Sequence, residues 1–154
     1  MDIYEVLKKL NIKYSEIEHK AVYTIEEAKE LENMIEGTGC KSLFLKDKDN
    51  FYIYILKDDK RAELKQLEKT INSKCLHFAS EDELYNILGL KKGSVTPFGI
   101  INDEEHRVII LIDEDLKNKK LLFHPNINTK TISIEYNDLI EFIKYQTNKY
   151  LIIK

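Results

Sequence analysis

Phe51-Tyr52-Ile53-Tyr54-Ile55-Leu56 is apolar at every position. Successive side chains of a strand point to opposite faces. A hexamer with no polar alternate must therefore be covered on both sides, and it reads as a central strand. The turn-forming stretch Asp47-Lys48-Asp49-Asn50 precedes it. Before that turn, residues 40–46 form another strand pattern, so a hairpin stands at the middle of the sheet. Val108-Ile109-Ile110-Leu111-Ile112 reads as a further buried strand. Residues 13–19, Cys75-Leu76-His77-Phe78, Leu121-Leu122-Phe123 and Thr131-Ile132-Ser133-Ile134 are shorter strand candidates.

Helical patterns separate these strands. Ile3, Val6, Leu7 and Leu10 share one face of a helix over 2–10. Thr24-Ile25-Glu26-Glu27 is a capping box opening a helix through about Met34, and Gly37 and Gly39 then break the chain. Asp58 or Asp59 is expected to cap a helix over 61–70. Ser80-Glu81-Asp82-Glu83 is a second capping box, with Gly89 where its helix should stop. Asp113 to Asn118 is a polar turn or short helix, and residues 138–147 form a last helix. Strands and helices interleave irregularly, which predicts an α/β (or α+β) fold with one mixed central sheet flanked by helices. With 154 residues and no linker or repeat, the chain is expected to be one domain, 1–154.

The bulk numbers narrow the function. Charged residues at 33% and a net charge of −3 suit a soluble protein and argue against indiscriminate nucleic-acid binding, though not against a local basic face. No apolar run is long enough to span a membrane, and the N-terminus lacks a signal pattern, so a cytoplasmic location is expected. Cys40 and Cys75 are too few for a disulfide scaffold or a zinc site. The nucleophile elbow, the phosphate-binding glycine loops and the zinc-protease helix motif are all absent.

The stretch Gly93-Ser94-Val95-Thr96-Pro97-Phe98 carries the chemistry instead. Glycine and proline fix the ends of a short loop. The N–H groups of Ser94, Val95 and Thr96 between them could face one concave side and hold an anion or a developing oxyanion. A strand is expected to follow. Lys41 enters the apolar strand Leu43-Phe44-Leu45 and shares a face with Leu43 and Leu45, while Ser42, Phe44 and Lys46 take the other. It is either a solvated strand end or a fixed cation aimed at a phosphate or carbonyl oxygen. His124 precedes Pro125, which favours extended backbone and a ring at a sheet edge; it is either a structural histidine or a pocket group. His19 reads as structural and His106 as an exposed turn residue.

Four segments, in order, resemble the superfamily of YbaK and the prolyl-tRNA-synthetase editing domain. They are His19 to Ala28, Lys41 to Asp47, Gly93 to Phe98 with Asn102-Asp103, and Phe123-His124-Pro125 with Asn128-Thr129 and Thr131. Gly-Ser-Val-Thr-Pro-Phe and Phe-His-Pro are similar to the ProX-type branch. Lys20 stands where the family commonly has proline, and Ser42 where many members have asparagine. The resemblance implies a trans-editing deacylase of Ala-tRNA(Pro) that uses no metal or cofactor. Lys41 would be the catalytic cation. Thr24, Ser42, Gly93, Ser94, Val95, Thr96, Pro97, Phe98 and His124 would bind the aminoacyl-adenosine end, and Lys46, Lys91 and Lys92 would contact tRNA phosphates. Prolyl-tRNA synthetase is a further partner it suggests. A Cys-tRNA(Pro) deacylase, a non-catalytic tRNA or amino-acid binding module, and a protein that only assists a synthetase remain alternatives on sequence alone.

Overall fold

The computed structural model describes residues 2–21 and 25–154. Among these residues, eight strands form one mixed sheet. They are β1 (Ser15–Glu18), β2 (Thr38–Lys46), β3 (Phe51–Lys57), β4 (His77–Phe78), β5 (Val108–Asp113), β6 (Lys120–Phe123), β7 (Lys130–Glu135) and β8 (Tyr150–Ile153). The order across the sheet is β1-β7-β6-β2-β3-β5-β8, with β4 attached to β2. β2–β3, β2–β4, β6–β7 and β1–β7 run antiparallel, while β2–β6, β3–β5 and β5–β8 run parallel. The helices are α1 (Ile3–Lys9), α2 (Ile25–Glu32), α3 (Leu64–Thr70), α4 (Glu81–Leu88) and α5 (Tyr136–Gln146).

The β2–β3 hairpin is central, as its composition requires. Ile53 and Ile55 enter one apolar core with Phe44, Ile110, Ile112 and the inner faces of α1, α4 and α5. Tyr52, Tyr54 and Leu56 enter a second core on the opposite face with Leu45, Leu67 and Leu111. The Asp47 side chain locks the hairpin turn, accepting from the Asp49 and Asn50 amides at 2.9 and 2.7 Å and from the Tyr52 hydroxyl at 2.7 Å.

The α4 capping box forms as read. Ser80 Oγ accepts from the Glu83 amide at 3.1 Å, and Glu83 accepts in return from the Ser80 amide at 2.9 Å. Gly89 ends that helix at φ 67°. The Thr24 box begins outside the described residues, and α2 itself starts at Ile25.

Three sequence expectations need correction. Neither Asp58 nor Asp59 caps α3, whose N-cap is Glu63. Asp58 instead extends the sheet, donating its amide to the Gly39 carbonyl at 3.1 Å. No strand directly follows the Gly93 loop. A 3-10 helix, Pro97–Asn102, comes first, because the Thr96 hydroxyl caps the Phe98 amide and proline suits a first helical position. The third is β8, a terminal strand missing from the sequence reading, which pairs in parallel with β5 through Ile110 to Asp113.

Candidate functional site

A split in the sheet makes the site. β6 pairs with β2 only at Thr38 and Gly39, and β4 pairs with it only at Leu45 and Lys46, on the same side. The Ala79 amide adds one bond to the Phe44 carbonyl at 3.0 Å. Between Gly39 and Phe44, no described strand flanks β2 on the side away from β3. A cleft of about 760 Å³ fills this notch. Its walls come from the β2 segment, the end of β6, the β4–α4 junction, Leu31 of α2 and the Gly93 loop.

Lys41, Ser42, Lys92, Gly93, Val95 and His124 all line this cleft. Side-chain alternation explains how Lys41 and His124 come together. Gly39 lies beside Leu122 in the parallel β2–β6 pair, so extending that register two residues brings Lys41 level with His124 on one sheet face. Leu43 and Leu45, on the same face, pack into the second core, as the alternation predicts. Lys41 is half-buried and forms no ion pair with a described residue. By contrast, Lys46 is held by Glu83 at 2.6 Å, and Lys60 by Asp113 and Asp115 at 2.6 and 2.9 Å. The cleft thus holds a cation whose charge no described residue neutralises.

The two histidines present acceptors. His124 Nδ1 lies 3.0 Å from the Lys130 carbonyl, which can only accept, so the ring donates there and leaves Nε2 as a lone pair. Burial pushes the His124 pKa below its ordinary value, with repulsion from His19 adding to the effect and the Lys130 bond opposing it. His19, 6.0 Å away ring to ring, donates through Nδ1 to the Lys20 carbonyl at 2.7 Å. Its Nε2 lies 2.8 Å from the Thr131 hydroxyl, and Thr131 is another cleft residue.

The Gly93 loop meets the cleft only in part. Gly93, at φ 85°, occupies the left-handed region that glycine tolerates, and Gly93 and Val95 face the cavity. The Ser94 amide is not free for a ligand, because it closes the turn onto the Lys91 carbonyl at 3.0 Å. The Val95 and Thr96 amides have no described partner. Thr96 and Pro97 are buried behind the loop, and Phe98 is fully buried in the core, edge-on to Phe123 and Phe142. These three residues support the wall rather than form it. Lys91 and Lys46 lie outside the cleft lining, and Thr24 lies outside the described residues.

Asp58, Phe78, Glu81 and Thr131 also line the cleft and were not singled out as site residues by the sequence reading. Thr131 stood inside one of the four matching segments, so its position was visible although its role was not. Asp58 sits in a polar turn just past a strand, with no local pattern to distinguish it. Among the described residues, no three His, Cys, Asp or Glu side chains gather as a metal site would. Nor is any helix among them long and apolar enough to cross a membrane.

Comparison with known proteins covers this whole region. Residues 19–142 match the sequence model of the aminoacyl-tRNA editing domain. The prolyl-tRNA editing protein ProX of Acetoanaerobium sticklandii is 38% identical over 151 residues, spanning 96% of this chain and 92% of that protein. Prolyl-tRNA synthetase associated domain-containing protein 1 of Danio rerio is 31% identical over 147 residues, spanning 93% and 80%. A crystal structure described as a candidate trans-editing enzyme for prolyl-tRNA synthetase superposes with a TM-score of 0.75 at 17% identity, over 99% of this chain and 94% of that one. At that identity the superposition speaks for the fold alone.

Proposed function

Because the chain belongs to the aminoacyl-tRNA editing-domain family, we propose that it hydrolyses alanine from mischarged tRNA(Pro) in the cytoplasm. The observation that carries the reading is the cleft itself, in which the unpaired Lys41 and the Gly93–Val95 backbone line one cavity.

An aminoacyl ester is already an activated acyl group, so a covalent nucleophile is unnecessary. Water adds to the carbonyl carbon, the ester C–O bond breaks, and the proton passes to the departing ribose oxygen, giving free alanine and tRNA. What the protein must supply is position and charge stabilisation for the tetrahedral oxyanion. Lys41 supplies the fixed cation, holding the terminal phosphate or ribose end so that the ester lies in the notch. The Val95 amide offers a donor on the opposite wall, reduced from the row of three that the sequence suggested. The substrate's own ribose 2′-hydroxyl helps activate the water. His124, kept neutral by burial, adds an acceptor beside Lys41.

Selectivity for alanine over proline is a matter of shape. A hydrophobic pocket separates groups that differ by one methylene by only about 1–3 kcal/mol, whereas steric exclusion of a ring is sharper. Lys91 and Lys92, both exposed on the loop, would meet acceptor-stem phosphates.

Deacylation assays with Ala-, Cys- and Pro-tRNA(Pro) test this reading. It requires rapid loss of alanine and sparing of proline. Faster hydrolysis of the cysteinyl ester would reassign the substrate, and binding without turnover would make the chain a carrier.

A further inference from the structure

We propose that Asp58 binds the protonated α-amino group of the aminoacyl ester and is a specificity residue of the cleft; this rests on the deacylase reading above. Asp58 lines the cavity and is half-buried. Its backbone is fixed by the 3.1 Å bond to the Gly39 carbonyl, one step beyond the end of β3. Alternation along β3 places it on the face of Leu56 and Tyr54, and Leu56 is the cross-strand partner of Lys41. Asp58 is therefore diagonal to Lys41 on the same face. Such positions stand about 7–8 Å apart, within reach of a long side chain.

The two opposite charges nevertheless do not pair, and Asp58 has no ion pair or side-chain hydrogen bond among the described residues. Its chain neighbour Lys60 cannot neutralise it, being clamped by Asp113 and Asp115. Gly39, between Asp58 and Leu122 across the strands, adds no side chain to fill the space. A wall with one unpaired anion and one unpaired cation complements a ligand that carries both signs. An aminoacyl nucleotide is such a ligand, with an ammonium group at one end of the ester and a phosphate at the other. With the phosphate end toward Lys41, the ammonium falls to Asp58, where charge-assisted hydrogen bonds are stronger than neutral ones. This carboxylate would also reject an ester whose amine is blocked, because the charge, covered by the bound ligand, would then be left without a partner.

The probe is a non-hydrolysable amide that keeps the phosphate, 3′-alanylamino-3′-deoxyadenosine 5′-monophosphate, compared with its N-acetylated form by calorimetry. Wild type should prefer the free amine by about ten- to hundredfold. Asp58→Asn and Asp58→Ser should each lose most of that preference while unfolding at the wild-type temperature. Equal binding of the two amides by wild type, no binding of either, or a preference that survives in both variants would overturn the assignment. Deacylation of Ala-tRNA(Pro) by wild type, measured in parallel, separates the two ideas. Hydrolysis without an amine preference removes Asp58 alone. An amine preference without hydrolysis removes the deacylase reading and keeps Asp58 as an ammonium site.

Discussion

His19 and Thr131 lie 112 residues apart in the chain, yet they share a hydrogen bond of 2.8 Å. The Lys20 carbonyl accepts from Nδ1, which leaves Nε2 to accept from the Thr131 hydroxyl. Thr131 is only 4% exposed, so this proton has few other places to go. The bond ties the residue after β1 to β7, at a hydroxyl-bearing residue that lines the cleft. Thr131→Val removes the hydroxyl at nearly constant volume. It should cost about 0.5–1.5 kcal/mol in urea unfolding, with an unchanged m-value, and Thr131→Ser should recover most of the loss.

His124 makes stability depend on pH in a definite direction. Burial lowers its folded pKa below the ordinary value. As pH falls through about 6.5, the unfolded chain takes up a proton that the folded chain refuses. The unfolded state then binds more protons, so folding stability declines toward acid and is flat above neutrality. His124→Gln removes this contribution. Unfolding free energies at pH 7.5 and 5.5 should differ more for wild type than for the variant; an identical difference would place His124 in water.

The sequence made the centre of the sheet legible because the physics there is local. Tyr52, Ile53, Tyr54, Ile55 and Leu56 alternate between two cores, and a strand apolar on both faces has few other uses. The Ser80–Glu83 box and Gly89 were equally plain, since caps depend on residues within one turn. What was hidden depended on distant partners. Tyr150 to Ile153 is a short apolar run that becomes a strand only because β5 offers an open edge. The Ser94 amide was read as available, but the Lys91 carbonyl, three residues earlier, captures it. Asp58 is one of two aspartates that the sequence offers as a helix cap, yet the ladder bond to Gly39 holds it at the sheet. Pattern and resemblance single out Lys41 and His124, and both line the cleft. That they lie level across β2 and β6 follows from a parallel register that no local spacing encodes.

The lysines assigned to tRNA contact differ in availability. Lys46 is bonded to Glu83 at 2.6 Å, and that bond holds the Glu83 carboxyl down at about 2. Lys91 has no ion pair among the described residues, and Lys92 is only loosely paired, 3.9 Å from Glu81 with both side chains exposed. A phosphate must displace Glu83 to reach Lys46 but need displace only water at Lys91. Lys91→Ala should therefore lower the slope of log affinity against log salt by about 0.7–0.9, and Lys46→Ala by clearly less. Fluorescence titration of tRNA(Pro) between 50 and 200 mM salt, a range over which phosphate contacts are strongly screened, checks the order. A larger effect at Lys46 would mean the Glu83 bond yields readily.

The most direct measurement is single-turnover deacylation of Ala-tRNA(Pro) by wild type and by Lys41→Met, which keeps the stem and removes the charge. Wild type should release alanine and leave Pro-tRNA(Pro) intact, while the variant should be slower by about 10²-fold, the usual loss when the reacting ester is misplaced by about an ångström. A Lys41→Met protein as fast as wild type would contradict a mechanism built on one unpaired cation in the notch between β6 and β4.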